Sequence, residues 1–313
     1  MIIVGAGLTG LLAGHYFRRH NPEILEASPG PVTNHTALLR FRSDAVTRLT
    51  GADTLRVSVR KAVTSHDGSQ LLDRCSLTAA NLYARKVTGI VSDRSIIDLS
   101  PVTRYVPGPR FMDQVRHGLN IKYGYQYAVG DSYVRSDNAV ISTIPMQYWL
   151  GEKIPHENIV FSFRPITVIS ATIRDVDINQ TVYFPYDIPI YRASFVGSRL
   201  IIEMMGNHDS YADASWEYMI AYVCKVILGS SDFDISGIVA STQKIGKIIP
   251  LQRDLRRDIV GRITQTFGVY SIGRYATWRQ LTTDDVISDL SVLESLISND
   301  PYWSRTHYAR KKS

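Results

Sequence analysis

The chain has 313 residues, 44% of them hydrophobic and 20% charged, which is an ordinary composition for one or two globular domains. Lys and Arg number 35 against 29 Asp and Glu, and the net charge of +6 favours anionic partners such as phosphates, nucleic acid or acidic substrates. Two cysteines are too few for a disulfide framework or a cysteine-based zinc site, and no metal site is predicted.

The sequence predicts a protein without a membrane partner. It contains no run of about 18 apolar residues, so we expect no transmembrane helix. The chain opens directly into Met1-Ile2-Ile3-Val4-Gly5 without a cationic stretch, which predicts no signal peptide. Because the low cysteine content suits a reducing compartment, we expect a cytoplasmic location.

The first 26 residues have the pattern of a strand, a glycine turn, a helix and a second strand. Residues 2–4 predict a short buried strand, and Gly5-Ala6-Gly7-Leu8-Thr9-Gly10 opens a helical pattern. A second apolar strand, Ile24-Leu25, ends at Glu26. The segment from 28 to 34 carries Gly30 between two prolines and is predicted to be a loop.

Downstream, the pattern is rich in strands until the last sixty residues. Apolar and polar residues alternate from 55 to 63, which predicts a half-buried strand. The other predicted elements are a helix over 111–119, strands around 123–129, 132–135 and 139–144, an antiparallel sheet over 161–205, a helix over 214–228, strands over 235–247 and 269–272, and a helix over 283–297.

The glycine spacing between the first strand and the helix predicts a dinucleotide-binding turn. Gly5 permits the tight turn, Gly7 lets the backbone approach a pyrophosphate at the positive end of the helix, and Gly10 allows close packing. Glu26 would accept hydrogen bonds from the ribose hydroxyls of an adenosine. The cofactor contacts predicted here are Gly5, Ala6, Gly7, Leu8, Thr9, Gly10, Glu26 and Ala27. A glycine-rich turn that binds no nucleotide is the alternative.

Two later segments resemble the cofactor motifs of FAD-dependent amine oxidases and UDP-galactopyranose mutases. Ala139-Val140-Ile141-Ser142-Thr143-Ile144-Pro145 resembles the strand that returns to the dinucleotide domain in these families. Tyr270-Ser271-Ile272-Gly273-Arg274-Tyr275-Ala276-Thr277-Trp278 resembles their last motif, a strand ending in Gly-Arg before a helix that faces the flavin. One departure is Gly30-Pro31, where these families usually have a Gly-Gly pair. The resemblance covers three separated segments and implies FAD as the cofactor.

The resemblance also implies roles for individual residues. Arg274 would neutralise a phosphate. The helix that begins near Thr283 has capping side chains before it, and its backbone donors would hold the pyrimidine carbonyl or ribityl oxygens. The further cofactor contacts implied are Arg40, Thr143, Pro145, Gly273, Arg274, Thr277 and Trp278.

Three residues are candidate catalytic groups: His35, Arg42 and Tyr275. The segment from His35 to Arg42 corresponds to the family loop that passes the isoalloxazine ring, so His35 would face the ring. Arg40 or Arg42 would contact phosphate or substrate. Tyr275 and Trp278 would wall the flavin pocket. The alternatives are a structural histidine and ordinary core aromatics.

The expected architecture is α/β. A discontinuous Rossmann-type FAD-binding domain, similar to that of glutathione reductase, is predicted from residues 1–60, 100–150 and 255–313. A second, mainly antiparallel-sheet substrate domain is predicted from residues 61–99 and 151–254. The flavin ring is expected between the two domains.

Three functions remain open on this basis. In the first, FAD accepts a hydride from a carbon that bears an amine, so the enzyme acts on the C–N bond of a small-molecule amine or an amino-acid adduct. In the second, a UDP-galactopyranose mutase-like flavoenzyme works without net oxidation. In the third, a non-catalytic Rossmann protein binds a nucleotide.

A narrower resemblance comes from the short chain, which is typical of phage-encoded enzymes. The chain is similar to the FAD-dependent enzymes of bacteriophage thymidine hypermodification, which cleave an amino-acid adduct on the thymine methyl carbon to leave an aminomethyl base. The partner would then be a modified thymine in DNA, and the location the host cytoplasm. The basic charge suits DNA and equally any anionic substrate. Tyrosines such as Tyr183 and Tyr191 are either base-stacking or sheet-packing residues.

Overall fold

A computed structural model describes residues 1–31, 38–91, 96–128, 139–151, 154, 159–207 and 215–299. The first of its two large sheets is parallel throughout, and its strands are short and mostly buried, except for the edge strand at 120–122. Its strands, in order across the sheet, are β13 (Val269–Ser271), β7 (Val140–Ser142), β1 (Ile2–Val4), β2 (Glu23–Leu25) and β6 (Asn120–Lys122).

The second sheet is antiparallel except where β3 (Thr54–Thr64) pairs in parallel with β9 (Ile178–Tyr183). Its strands, in order, are β12 (Ile235–Ile248), β8 (Phe163–Ile173), β11 (Arg199–Met205), β10 (Ile190–Gly197), β9 (Ile178–Tyr183), β3 (Thr54–Thr64) and β4 (Leu71–Leu72), with β5 (Val102–Pro107) paired to β3.

Seven α-helices occur in the described residues. They are α1 (Leu8–Tyr16), α2 (Ala45–Thr50), α3 (Leu77–Thr88), α4 (Phe111–Arg116), α5 (Trp216–Leu228), α6 (Arg253–Phe267) and α7 (Thr283–Asn299). Ser76 and Ser215 cap α3 and α5 by accepting backbone N–H hydrogen bonds. No helix in the described ranges combines the length and the apolar character that a membrane crossing needs.

Both sheets are covered by helices, and one segment connects their cores. Helices α1, α2 and α7 pack against one another beside the parallel sheet, and α5 covers one face of the second sheet. Helix α3 packs on the opposite face of that sheet. Between the two cores runs the segment 38–41, in which Leu38 contacts the α3 cluster and Phe41 packs in the first core against Phe111.

The predicted α/β fold, with a parallel sheet and a second, mainly antiparallel sheet, is confirmed. Most predicted elements occur with similar bounds. The prediction of a strand around 123–129 was wrong for its described part, because residues 123–128 form no strand and 120–122 supply β6 instead. The strand predicted at 132–135 lies outside the described residues. The domain boundaries stay a prediction, and β3 crosses the one predicted at residue 60.

Candidate functional site

The three motif segments meet at the carboxyl ends of β1, β7 and β13. Gly5 has φ +99°, and a Cβ there would lie 2.5 Å from the Thr143 hydroxyl oxygen. That hydroxyl donates to the Val4 carbonyl oxygen at 2.9 Å. Gly273 has φ +95°, and a Cβ there would lie 2.8 Å from the Thr9 side chain. Segments from both ends and the middle of the chain therefore converge on one edge of the parallel sheet, where this class of fold binds ligands.

Gly7 and Gly10 of the first turn differ in how closely the protein surrounds them. A Cβ at Gly10 would overlap the Gly5 carbonyl oxygen, so the close approach of α1 to the turn requires glycine there. A Cβ at Gly7 would meet no atom within 4 Å, and Gly7 is exposed. The N–H groups in the first turn of α1 have no intrahelical acceptor. The space beside Gly7 is therefore open to an anion at the N-terminus of α1.

Glu26 is fixed beside this turn. One carboxylate oxygen accepts the Ala6 N–H at 2.7 Å, and the other accepts the Ser28 N–H at 2.9 Å. Each oxygen has a second lone pair that remains able to accept from a ribose hydroxyl. Ala27, the next residue, is exposed. The arrangement is compatible with the predicted contact to an adenosine.

We expect Glu26→Ala to lower the free energy of unfolding by about 1–3 kcal/mol, because two backbone N–H groups lose their acceptors. Urea unfolding measures the change. Glu26→Gln, which keeps one acceptor oxygen, is the matched control and should lie between the wild type and Glu26→Ala. An unchanged stability of Glu26→Ala would show that these two hydrogen bonds do not hold the turn.

A polar cavity lies at the start of α7. Its volume is about 290 Å³, and its walls include Arg42, Lys247 and Arg274, with Asp285 as a carboxylate. Asp284 holds the backbone at Arg42 in place. Its two carboxylate oxygens accept the Arg42 N–H at 2.9 Å and the Ser43 N–H at 2.8 Å. The cavity therefore lies between the Gly-Arg motif and the end of the predicted flavin loop. Its excess of cations favours an electron-rich or anionic group.

Other residues predicted for the cofactor or for catalysis have roles within the protein. The Tyr275 hydroxyl donates to the Ile245 carbonyl oxygen at 2.9 Å, and the Thr277 hydroxyl donates to that of Gly273 at 2.7 Å. Trp278 is fully buried, and its indole N–H donates to a carbonyl oxygen before α6. Pro145 leads into a short 3-10 turn after β7. Their contacts with a cofactor stay predictions. His35 lies outside the described residues.

Arg40 reaches the second sheet. Its Nη1 donates to the Thr181 hydroxyl oxygen at 2.6 Å, and its Nη2 donates to the Phe195 carbonyl oxygen. Its Nε is buried and has no hydrogen-bond acceptor among the described residues. Burial and the neighbouring charge of Arg192 lower the pKa of Arg40 to about 10. The predicted cofactor contact of Arg40 stays a prediction, and these hydrogen bonds hold its side chain against the second sheet.

The sequence did not single out a charged row across the second sheet, which combines a buried carboxylate with a partly exposed arginine. Arg192 on β10 stands between Tyr183 on β9 and Glu203 on β11. The Arg192 Nε and Nη2 donate to the two oxygens of Glu203, and the Tyr191 hydroxyl donates to one of them at 2.9 Å. A recognisable signal was present, because Glu203 is the lone charge in the apolar strand from 200 to 205.

The environment of Glu203 explains how its charge is maintained. Glu203 is only 2% exposed, and this burial alone would raise its pKa. The charges of Arg192 and Lys247 outweigh burial and lower the pKa of Glu203 to about 2. The Lys247 ammonium also lies 4.8 Å from the centre of the Tyr191 ring and lines the cavity at α7. The charged row and the cavity are therefore neighbours.

Comparisons with known proteins identify the fold. No protein-family model matches this sequence, and a search of curated proteins finds no match. The structure of a reduced UDP-galactopyranose mutase is 12% identical over 99% of this chain and 97% of that chain, with a TM-score of 0.62. An oxidoreductase from Methanosarcina mazei is 11% identical over 94% and 99%, with a TM-score of 0.58. A protein described as an FAD containing monooxygenase from Photorhabdus luminescens is 10% identical over 99% and 92%, with a TM-score of 0.50. At such identities, the similarity shows a shared fold.

Proposed function

We propose that this chain is an FAD-dependent oxidoreductase that acts on a carbon–nitrogen bond. The premise is the fold that it shares along nearly its whole length with the mutase and the oxidoreductase described above. The observation that carries the proposal is the meeting of three motif segments, with Gly5 against Thr143 and Gly273 against Thr9. A dinucleotide cofactor needs such converging segments, because its pyrophosphate and its ring bind at separate points along the sheet edge.

The residues at this edge fit FAD. The space above Gly7 would take the pyrophosphate against the first-turn N–H groups of α1, and Glu26 would accept the ribose hydroxyls. The cavity beside Arg42 and Arg274 would hold an electron-rich portion of the cofactor. When bound, FAD would accept a hydride from the substrate carbon and pass the electrons to dioxygen or another acceptor.

The residues of the second sheet would orient the substrate and set its protonation state. The rings of Tyr83 and Tyr183 pack edge to face with their centres 5.4 Å apart, and they would supply a rigid apolar wall beside the substrate. The cations of Arg40, Arg192 and Lys247 would disfavour a protonated amine and so hold the nitrogen lone pair available. In the oxidation, the C–H bond breaks with loss of hydride, the N–H proton passes to solvent, and a C=N bond forms.

A finer form of the proposal is that this amine is an amino-acid adduct on the thymine methyl carbon of DNA. Its support is the resemblance to the phage enzymes and the net charge of +6, which suits a polyanionic substrate. Oxidation would convert the N–Cα bond of the adduct into a C=N bond. Water would then add and cleave it, leaving an aminomethyl base and releasing a 2-oxo acid.

A mutase-like flavoenzyme without net redox is the second candidate. The similarity to UDP-galactopyranose mutase over 99% of this chain and 97% of that chain favours it. The cations beside the cavity would also suit a nucleotide diphosphate. The two candidates differ in whether the substrate leaves the flavin reduced.

We expect the purified protein to be yellow and to release FAD on heating, as identified by absorbance and mass spectrometry. Under anaerobic conditions, secondary amines should bleach the flavin, and an oligonucleotide with an amino-acid-modified thymine should change in mass to the aminomethyl product. Sugar isomerisation without net bleaching would favour the mutase-like function. Colourless protein that takes up no added FAD would contradict both functions.

A further inference from the structure

A groove lies between α6 and α7 at the outer edge of the parallel sheet. β13 is the last strand in the order of that sheet, so one of its edges pairs with no strand in the described ranges. Ile259 and Ile263 of α6 pack on one face of the sheet, and Leu290 and Leu293 of α7 pack on the other. The two helices flank the unpaired edge, and the cavity between them has a volume of about 470 Å³. It shares no lining residue with the cavity at the start of α7.

The walls of this groove are largely apolar and leave room for a ligand. Val292 and Leu296 of α7 are 60% and 56% exposed, although the helix already buries a separate apolar stripe in the core. Side chains at i and i+4 are neighbours on a helix and form one strip. Opposite them, Val260 of α6 lines the groove, and a Cβ at Gly261 would meet no atom within 4 Å. The volume lies in the range of about 300–1,000 Å³ that is typical of small-molecule sites.

Three arginines line the same groove. They are Arg256, Arg257 and Arg279, and Asp289 is the one carboxylate among the lining residues. Asp289 pairs with Arg279, whereas Arg256 and Arg257 form no salt bridge within the part of the chain that the structure describes. Burial and the neighbouring charges of Arg279 and Arg257 lower the pKa of Arg256. The groove therefore carries an excess of positive charge that its own carboxylate does not neutralise.

We propose that this groove binds a free amphiphilic anion, whose apolar chain lies against Val292 and Leu296 and whose anionic head meets Arg256 and Arg257. The inference is independent of the proposed flavin chemistry. Such a ligand would remove exposed apolar surface from water and would also neutralise the crowded cations. A neutral hydrocarbon would leave the arginines uncompensated, and a small polar anion would leave the apolar walls in water.

Charge disfavours two occupants that the chain itself could supply. A second copy that met the same groove across a twofold axis would place the arginines of one groove against those of the other. Residues 300–313, which follow α7 in the sequence, contain four Lys or Arg side chains and one Asp, so they are also basic. An anionic ligand is electrostatically better suited to the groove than either.

Isothermal titration of the purified protein with octanoate, 1-octanol and acetate tests the proposal. Octanoate carries both the apolar chain and the charge, and each of the other two carries only one of them. We expect octanoate to bind about tenfold or more tightly than either, and hexanoate to bind about threefold or more weakly than octanoate. Higher salt concentration should weaken octanoate binding, because it screens the attraction to the arginines.

Two pairs of variants locate the site. Gly261→Leu should fill the groove and abolish octanoate binding without loss of stability, because its Cβ meets no atom and leucine favours a helix. Thr266→Leu, at an exposed position of α6 outside the groove, is its matched control and should bind like the wild type. Arg256→Gln should weaken octanoate binding about threefold or more and leave 1-octanol binding unchanged. Arg262→Gln, at an exposed arginine of the same helix, is the control for the charge.

No binding of octanoate, or equal binding of octanoate and 1-octanol, would overturn the proposal whether or not the variants fold. Octanoate binding that is unchanged in Gly261→Leu would place the ligand elsewhere and would overturn it too. A dimer that light scattering detects in the wild type and not in Gly261→Leu would make the groove an interface between copies instead. None of these measurements depends on flavin content or amine oxidation, so failure of the proposed function would leave their outcome unaffected.

Discussion

Replacing Gly7 with valine is expected to leave the fold intact and to weaken the binding of FAD, so that less FAD is retained on purification. Gly7 has φ −65° and ψ 172°, which any residue can adopt, and a Cβ there meets no protein atom within 4 Å. The side chain would instead fill the space proposed for the pyrophosphate. Overpacking of about 1–3 kcal/mol would weaken FAD binding by about tenfold to a hundredfold. The ratio of flavin to protein absorbance after purification, and titration of the apoprotein with FAD, measure the loss.

Gly10→Ala is the matched substitution in the same turn, and it should have the opposite signature. Its Cβ would overlap the Gly5 carbonyl oxygen, so the protein itself should be destabilised. Thermal unfolding then separates the two effects: Gly7→Val should unfold like the apo wild type, and Gly10→Ala at a lower temperature. Retention of FAD by Gly7→Val at wild-type occupancy would count against the proposed position of the pyrophosphate.

Arg192→Met is expected to lower the free energy of unfolding by about 3–5 kcal/mol, because it leaves the Glu203 carboxylate buried without its cation. The double variant Arg192→Met/Glu203→Leu should recover most of this loss, since it removes both charges and keeps the volume. Urea unfolding at neutral pH gives the double-mutant cycle. Destabilisation that is additive in the double variant would show that the two residues are not energetically coupled.

The same pair predicts how stability depends on pH. The pKa of Glu203 is about 2 in the folded protein, against an ordinary value of 4.5, so the folded state favours the ionised carboxylate. Its contribution is therefore fully present above pH 4.5 and is lost as the pH falls towards about 2. Over that range, the wild type should lose more stability than the double variant. Parallel losses in the two proteins would contradict the assignment.

Much of the sheet edge where the three motif segments meet could be predicted from the sequence because its determinants are local. The turn from Gly5 to Gly10 needs glycines at defined positions within six consecutive residues, and Glu26 follows one crossover later. The glycine before Arg274 could be recognised in the same way, since a strand ending in Gly-Arg is itself a short pattern. The structure adds the contacts of Gly273 with Thr9 and of Gly5 with Thr143.

The charged row on the second sheet could not be predicted in this way. The Arg192 and Glu203 pair depends on the register of β10 against β11, which shifts at an irregularity between Ile190 and Arg192. Arg40 and its acceptor Thr181 are 141 residues apart in the sequence. A strand pattern indicates which residues alternate between the two faces of a sheet. It does not fix the register, and a shift of one residue would turn Glu203 to the opposite face.

The amino-acid sequence by itself determined the fold class and the glycine turn of this protein, because both follow from backbone geometry and hydrophobic periodicity over short stretches. Only the tertiary structure decided which charges meet on the second sheet and that Arg40 lacks the carboxylate that Arg192 has. The physical reason is that burial and pairing are properties of strands brought together from distant parts of the chain, and the cost of a buried charge depends on those neighbours.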